Sequence, residues 1–264
     1  VVASLPDPNP KVAGQGFARL RAAGIDVEVG SGAAESRELN IGFFSRMVRK
    51  RPWVRLKIAA SLDGTTALLN GKSQWITGAA ARADGHAWRA RACAILTGSG
   101  TVLHDNPRLD VRLVATPRQP HLVVLDTQLQ TPADAALFEP KRTVFIYSTS
   151  QDSAKIAALQ ARGANIITQS TSDLHSVLHD LAAREINELH VEAGHTLNAA
   201  LLEAGLVDEI VLYLAPTLLG SGAGMICSTP LTELTQGTAL RFLSNTMIGD
   251  DLRIVARVVG QDQF

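Results

Sequence analysis

Leu189-His190-Val191-Glu192-Ala193-Gly194-His195-Thr196-Leu197-Asn198-Ala199-Ala200-Leu201-Leu202 is the stretch whose reading decides the fold. It opens as a strand ending in a carboxylate, turns on two small residues and starts a helix at once. Leu197, Ala200, Leu201 and Ala204 recur at helical spacing and give a helix over 197–204 a face to bury. Thr196 is the expected N-cap, and Gly205 closes the helix. The free N–H groups and positive dipole end at such a helix start suit a phosphate. An ordinary strand–helix connection has the same pattern, so both readings stay open.

Working outward, strands are expected at 53–61, 94–97, 121–126, 143–147, 165–168, 188–192 and 209–215. Helices are expected at 78–92, capped by Thr77, and at 152–162 and 173–184. Asp63-Gly64 reads as a hairpin turn into 65–69, Asn70-Gly71 as a second tight turn, and 98–101 as a loop. Strands 239–246 and 252–259 lie close enough to form an antiparallel pair. This alternation predicts an α/β fold: a mixed, mostly parallel sheet with flanking helices and an antiparallel C-terminal edge. Before Pro52 the chain differs in character. A short helix over 15–23 closed by Gly24, a strand over 25–29 and a helix over 35–51 make a short α/β segment, and the domain boundary is placed at Pro52.

Of 264 residues, 46% are hydrophobic and 19% charged, and 25 basic side chains balance 25 acidic ones. That composition gives a globular core and no global field toward nucleic acid or membrane, so an anionic ligand needs a local site. No apolar run approaches the ~20 residues of a membrane span, and the amino end lacks a secretory signal pattern. Cys93 and Cys227 read as buried, reduced thiols, which points to a cytoplasmic protein.

Gly98-Ser99-Gly100 and Gly220-Ser221-Gly222-Ala223-Gly224 lack the spacing of the usual dinucleotide fingerprint, so a bound dinucleotide would need another geometry. His190-Val191-Glu192 mimics the H-x-E of zinc deaminases, but no P-C-x-x-C follows; His190 reads as a strand residue and no metal site is expected. Alternation within 54–60 puts Arg55, Lys57 and Ala59 on one face of a strand. Two cations facing one way suggest a nearby carboxylate or anion; a solvent-facing edge is the alternative. Ser73, Trp75, Arg89, Asp105 and Arg112 form a second cluster of candidates, each with an ordinary structural reading of its own.

Several phrases in fixed order resemble one family. These are 55–64 (RLKIAASLDG), 71–77 (GKSQWIT), Arg89-Ala90-Arg91, 98–103, 105–112 (DNPRLDVR), Val191-Glu192-Ala193-Gly194 and 215–220 (APTLLG). They are similar to the pyrimidine reductase half of the bifunctional deaminase–reductase of riboflavin biosynthesis, from Pro52 onward. Residues 7–29, with Asp7-Pro8-Asn9-Pro10 and Ala23-Gly24-Ile25-Asp26-Val27, resemble the end of its deaminase half. The resemblance implies that 1–51 is a deaminase remnant with a linker helix and 52–264 a reductase domain. The deaminase zinc-binding motifs are missing, so deaminase activity is not expected.

The same resemblance implies a dihydrofolate-reductase-like fold, NADPH as cofactor, and 5-amino-6-(5-phosphoribosylamino)uracil as substrate, reduced at C1′. Ser73, Arg89, Leu109, Arg112 and Glu192 match substrate positions. Ala59, Trp75, Thr101, Asp105, Gly194, His195, Thr196, Leu197, Asn198, Ala199 and Ala200 match cofactor positions. His195 departs from the family, which usually has Pro there. Asp105 and Lys57 are the candidate proton donors to an opened imine, and a homodimer is implied. Two alternatives stand beside this reading: a non-catalytic NADPH-binding or assembly module, and a reductase of a related pyrimidine or pterin.

Overall fold

The computed structural model describes residues 1–263, which divide into two units. The smaller comprises residues 1–53 and 178–187. Its elements are β1 (Val2–Ala3), α1 (Gln15–Ala22), β2 (Glu28–Val29), α2 (Ala33–Leu39) and α3 (Ile41–Arg49), with β1 and β2 parallel. The strand expected over 25–29 thus shrinks to two residues. The helix expected over 35–51 is two helices, broken at Asn40, whose φ of −115° is not helical. Lys50, at φ 59°, ends α3 in the left-handed region before Pro52.

The larger unit comprises 54–177 and 188–263. Following β3 (Trp53–Ser61) come β4 (Thr65–Leu68), α4 (Ala79–Arg91), β5 (Ala94–Gly98), α5 (Ser99–Asp105), β6 (His121–Leu125), β7 (Val144–Ser148), α6 (Ser153–Ala161), β8 (Ala164–Thr168), α7 (Leu174–Ala183), β9 (Glu188–Val191), α8 (His195–Glu203), β10 (Glu209–Ala215), β11 (Gly222–Gly224), β12 (Leu240–Ile248) and β13 (Asp251–Val258). Nine strands form one sheet in the order β12-β13-β10-β3-β9-β5-β6-β7-β8. Pairs β10–β3, β9–β5, β5–β6, β6–β7 and β7–β8 are parallel, while β13 runs antiparallel to both β10 and β12. The expected mostly parallel sheet with an antiparallel C-terminal edge is what the chain forms. No helix among the described residues is long and apolar enough to cross a membrane.

The apolar strands are buried because helices cover them. Ile95, Leu122, Val124 and Ile146 pack with Val102, Leu137 and Leu159 in one cluster, each such side chain contributing roughly 1.5–3 kcal/mol when fully buried. Four local expectations change. Residues 99–105 form helix α5 rather than a loop. Neither Thr77 nor Thr196 caps a helix: Gly78 and Gly194 occupy those N-cap positions, and Thr196 lies inside α8. The turn at Asp63-Gly64 forms, yet β4 leaves the main sheet and pairs antiparallel with β11. A Cβ on Gly222 would fall on the Ala67 carbonyl oxygen and 2.6 Å from Thr65 Cγ2, so that ribbon closes only around a glycine. Cys93 is half-buried and Cys227 exposed, against the expectation that both are buried.

Candidate functional site

Strand β3 is central, so Lys57 is not at a solvent edge. Its neighbours are β10 and β9. The period of two that puts Arg55 and Lys57 on one face of β3 likewise puts Glu188, His190 and Glu192 on one face of the β9 segment. Arg55 is buried, with Nε 2.5 Å from Glu209 Oε1 and Nη1 2.9 Å from Glu188 Oε2, and its guanidinium lies 4.8 Å from the Trp88 ring centroid. Lys57 Nζ is 3.7 Å from Glu192 Oε2 and 5.9 Å from the Tyr213 ring centroid. The expected carboxylate facing the two cations is therefore present for both.

Helix α4 crosses that face. Arg89 grips Glu192 with two parallel bonds, Nε to Oε1 and Nη2 to Oε2 at 2.9 Å, and its Nη1 donates to the Asp110 carbonyl at 2.9 Å. Burial alone would raise the Glu192 carboxyl's pKa, but Arg89 and Lys57 hold it well below the ordinary range. Burial lowers the Lys57 ammonium's pKa, Glu192 opposing and Arg89 adding to the shift. His190 is buried with Nε2 3.4 Å from Glu192 Oε1, and burial lowers its pKa too.

Of these groups Lys57, Arg89 and Glu192 line one cleft of about 1120 Å³, outside the ends of β3, β5 and β9, where the strand order reverses. That exceeds the roughly 300–1,000 Å³ of a site for one drug-sized ligand, as two ligands side by side require. One wall is the start of α8, where the first N–H groups lack intrahelical partners. A Cβ on Gly100 or Gly194 would meet nothing within 4 Å, so backbone faces open space at both. Asn198 is buried; its Nδ2 donates to the Met225 carbonyl at 3.1 Å, while its Oδ1 has no partner among the described residues. Open backbone, a helix N-terminus and an unpaired amide oxygen fit a dinucleotide phosphate and its ribose.

The opposite wall is the segment 105–112. Leu109 has φ 49° and Asn106 φ 40°, conformations costly for L side chains. Asn106 Oδ1 accepts from Ala136 N at 2.8 Å, and Arg142 donates to the Leu109 and Arg108 carbonyls, which fixes the turn. Arg112 leans on Asp110 through Nη1, and its backbone N–H donates to His86 Nδ1 at 3.1 Å. Burial and the flanking Arg89 and Arg112 lower His86 to about 4, so it accepts as a neutral ring. Residues 52–254 match the RibD C-terminal domain model.

The chain belongs to the RibD family.

The riboflavin biosynthesis protein RibD of Escherichia coli K12 is 41% identical over 266 residues, covering 96% of this chain and 72% of that protein. The solved structure of Acinetobacter baumannii RibD superposes with a TM-score of 0.89 at 36% identity, over 98% of this chain and 72% of that one. A structure described as a diaminohydroxyphosphoribosylaminopyrimidine deaminase/5-amino-6-(5-phosphoribosylamino)uracil reductase from Thermotoga maritima gives 0.85 at 28% identity, over 98% and 71%.

Of the positions singled out by their likeness to RibD, Lys57, Ala59, Ser73, Trp75, Arg89, Thr101, Asp105, Leu109, Arg112, Glu192 and the turn from Gly194 to Asn198, with Ala200, all line the cleft. Ala199 does not; it is buried on the far side of α8's first turns. Ser73 Oγ donates to Asp105 Oδ1 at 3.4 Å, so two candidates from different segments meet. Trp75 is 67% exposed with the Arg82 guanidinium 4.6 Å from its ring centroid. Arg89 lines the cleft with its guanidinium engaged by the Glu192 carboxylate and the Asp110 carbonyl. Sequence reasoning missed Tyr213, whose hydroxyl donates to Asp84, itself paired to Arg253 Nη1 at 2.9 Å. Burial, with Asp84 beside it, raises the Tyr213 pKa. Alternation of Glu209, Val211 and Tyr213 was the available signal, and Asp110 sits within the family-like run 105–112; His86 and Arg142 had none.

Proposed function

We propose that this chain is an NADPH-dependent 5-amino-6-(5-phosphoribosylamino)uracil reductase that reduces C1′ of the sugar to give the ribitylamino product. The observation that carries the reading is a single cleft shared by the α8 N-terminus, the Lys57–Glu192–Arg89 cluster and Arg112. Gly194 through Ala200, with Ala59, Trp75, Thr101 and Asp105, are assigned to the cofactor, which supplies a hydride when bound. Ser73, Leu109, Arg112 and Glu192 are assigned to the substrate, with Arg112 on its phosphate and Arg89 holding Glu192 in place.

Opening of the ribosylamine gives an imine at C1′, and a proton on its nitrogen makes that carbon the better electrophile. Of the two candidate donors, Lys57 is favoured over Asp105. Burial makes the Lys57 ammonium a stronger acid than an ordinary lysine, and Glu192 fixes its position. Asp105 is exposed and accepts from Ser73. The test is turnover of the substrate with NADPH, followed by loss of reduced-nicotinamide absorbance; no loss refutes the reading. Lys57→Met lowers kcat about 10²- to 10⁴-fold if Lys57 is the acid, and an unchanged kcat removes it.

Within the same reading, 1–51 is the end of a deaminase domain with its linker helices, and 52–264 the reductase domain. Deaminase activity is not part of it, since the family match covers 52–254. The partner is a second copy of the chain. Edge strand β12 supports that, with Phe242 72% and Met247 61% exposed; a monomer by light scattering would refute it. Its relatives are riboflavin biosynthesis proteins, and we assign the cytoplasm as its location.

A further inference from the structure

The segment 105–112 carries a second arginine that the function above does not use. Arg108 and Arg112 flank Asp110, and both line the cleft. Asp110 is buried, and its two carboxylate oxygens are divided between them: Oδ2 lies 3.2 Å from Arg108 Nε, and Oδ1 accepts from Arg112 Nη1. Each arginine nonetheless stays half exposed, at 46% and 45% of its side chain. One carboxylate thus holds two guanidinium groups by one edge each and leaves other N–H groups of both turned outward. Arg108 has one further anchor, Glu139, whose Oε2 is 2.8 Å from its Nη1 and which is itself 52% exposed.

The charge count has a direction. Arg89, Arg108, Arg112 and Arg142, with Lys57 sharing Glu192, face the three carboxylates Asp110, Glu139 and Glu192. Five positive groups against these three carboxylates, or against four when Asp105 of the same segment is counted, leave this wall net positive, as a phosphate monoester dianion requires. Two forks side by side can also bind more oxygens of one phosphate than a single fork can.

We propose that Arg108 is a second phosphate-binding residue, that Asp110 is the positioning residue for the Arg108–Arg112 pair, and that Glu139 competes with the substrate phosphate for Arg108. This rests on the assignment of Arg112 to the phosphate made above. Asp110 acts through the arginines and does not touch substrate, since its two oxygens already face them. Arg142, which donates to the Arg108 and Leu109 carbonyls from behind, keeps the segment in the left-handed turn that makes the pairing possible.

The test is calorimetric titration of the full chain with ribose 5-phosphate, with ribose as the control. Arg108→Ala and Asp110→Asn each weaken ribose 5-phosphate about tenfold, the loss of one charge-assisted contact at a half-exposed site, and Arg108→Lys restores part of it. Glu139→Gln moves the other way, tightening ribose 5-phosphate by about 2- to 5-fold. In steady-state turnover of the phosphorylated substrate, the loss in Arg108→Ala falls on KM rather than kcat. If Arg112→Ala weakens ribose 5-phosphate and Arg108→Ala does not, the pair is overturned while the proposed function stands. If the wild-type chain prefers ribose 5-phosphate to ribose no more than Arg112→Ala does, both fall. Glu139→Gln weakening the ligand, rather than tightening it, overturns the competition.

Discussion

Replacing Glu192 by Gln keeps the shape of the side chain and removes its charge. Arg89 and Lys57 then face each other across a neutral amide, with Arg89 only 14% exposed. Removing one partner of a buried ion pair costs about 3–5 kcal/mol, because the other charge is left without compensation. In a unit of this size each kcal/mol lowers Tm by roughly 2–4 °C, so the expected loss is roughly 6–20 °C. The pH dependence gives a second, independent check. The folded-state pKa of Glu192 lies well below the ordinary range, so its contribution is fully present above the unfolded carboxyl value of about 4.3 and lost as pH falls through the folded one. The gap in stability between the wild-type chain and Glu192→Gln is therefore level through neutral pH and closes in acid, once Glu192 itself is protonated. Thermal melting from neutral pH into acid measures both effects. A Tm change below about 2 °C at neutral pH, or a gap that persists undiminished in strong acid, refutes the view that these charges hold one another.

Gly222→Ala drives a methyl into the Ala67 carbonyl and Thr65 Cγ2, and the expected cost is about 1–3 kcal/mol or more by thermal melting; an unchanged Tm means the β4–β11 ribbon does not close as described. His195 is the first residue of α8, a position where proline fits, and Gly194 before it is extended at φ −74°, ψ 166°. His195→Pro is expected to stabilise by about 0.4–1 kcal/mol, and a fall in Tm contradicts that placement. His86 is held neutral with a pKa of about 4, below the unfolded value of about 6.5. The unfolded chain therefore binds the extra proton first, and stability drops as pH falls from about 6.5 towards 4. His86→Asn flattens that part of the profile, measured by denaturant titration at a series of pH values; an unaltered profile removes His86 as its source.

Local sequence determined a good deal. Alternation of apolar residues marks strands wherever they occur, and the run of strand, small-residue turn and helix at 189–202 is a local pattern with local causes. Hence β3, β5, β10 and the antiparallel β12–β13 pair stand close to where the pattern puts them, and the start of α8 lines a cleft as its open N–H groups suggested. Lys57 was legible too, since two cations on one strand face need an answering charge.

What only the tertiary structure decided is which distant segments meet. Glu192 answers Arg89 from 103 residues away and Tyr213 reaches Asp84 across 129, because the sheet order seats β9 between β3 and β5 with α4 lying across that face. No local period encodes that order. Residues 65–68 look like the second half of a hairpin, yet their partner is Gly222–Gly224, chosen by a close approach that appears only when the chain has folded. Thr77 and Thr196 have the chemistry of N-caps, but the backbone leaves the extended conformation one residue after Thr77, at Gly78, and two residues before Thr196, at Gly194. Side-chain type sets what a residue can bind; the path of the chain through space sets what it is given.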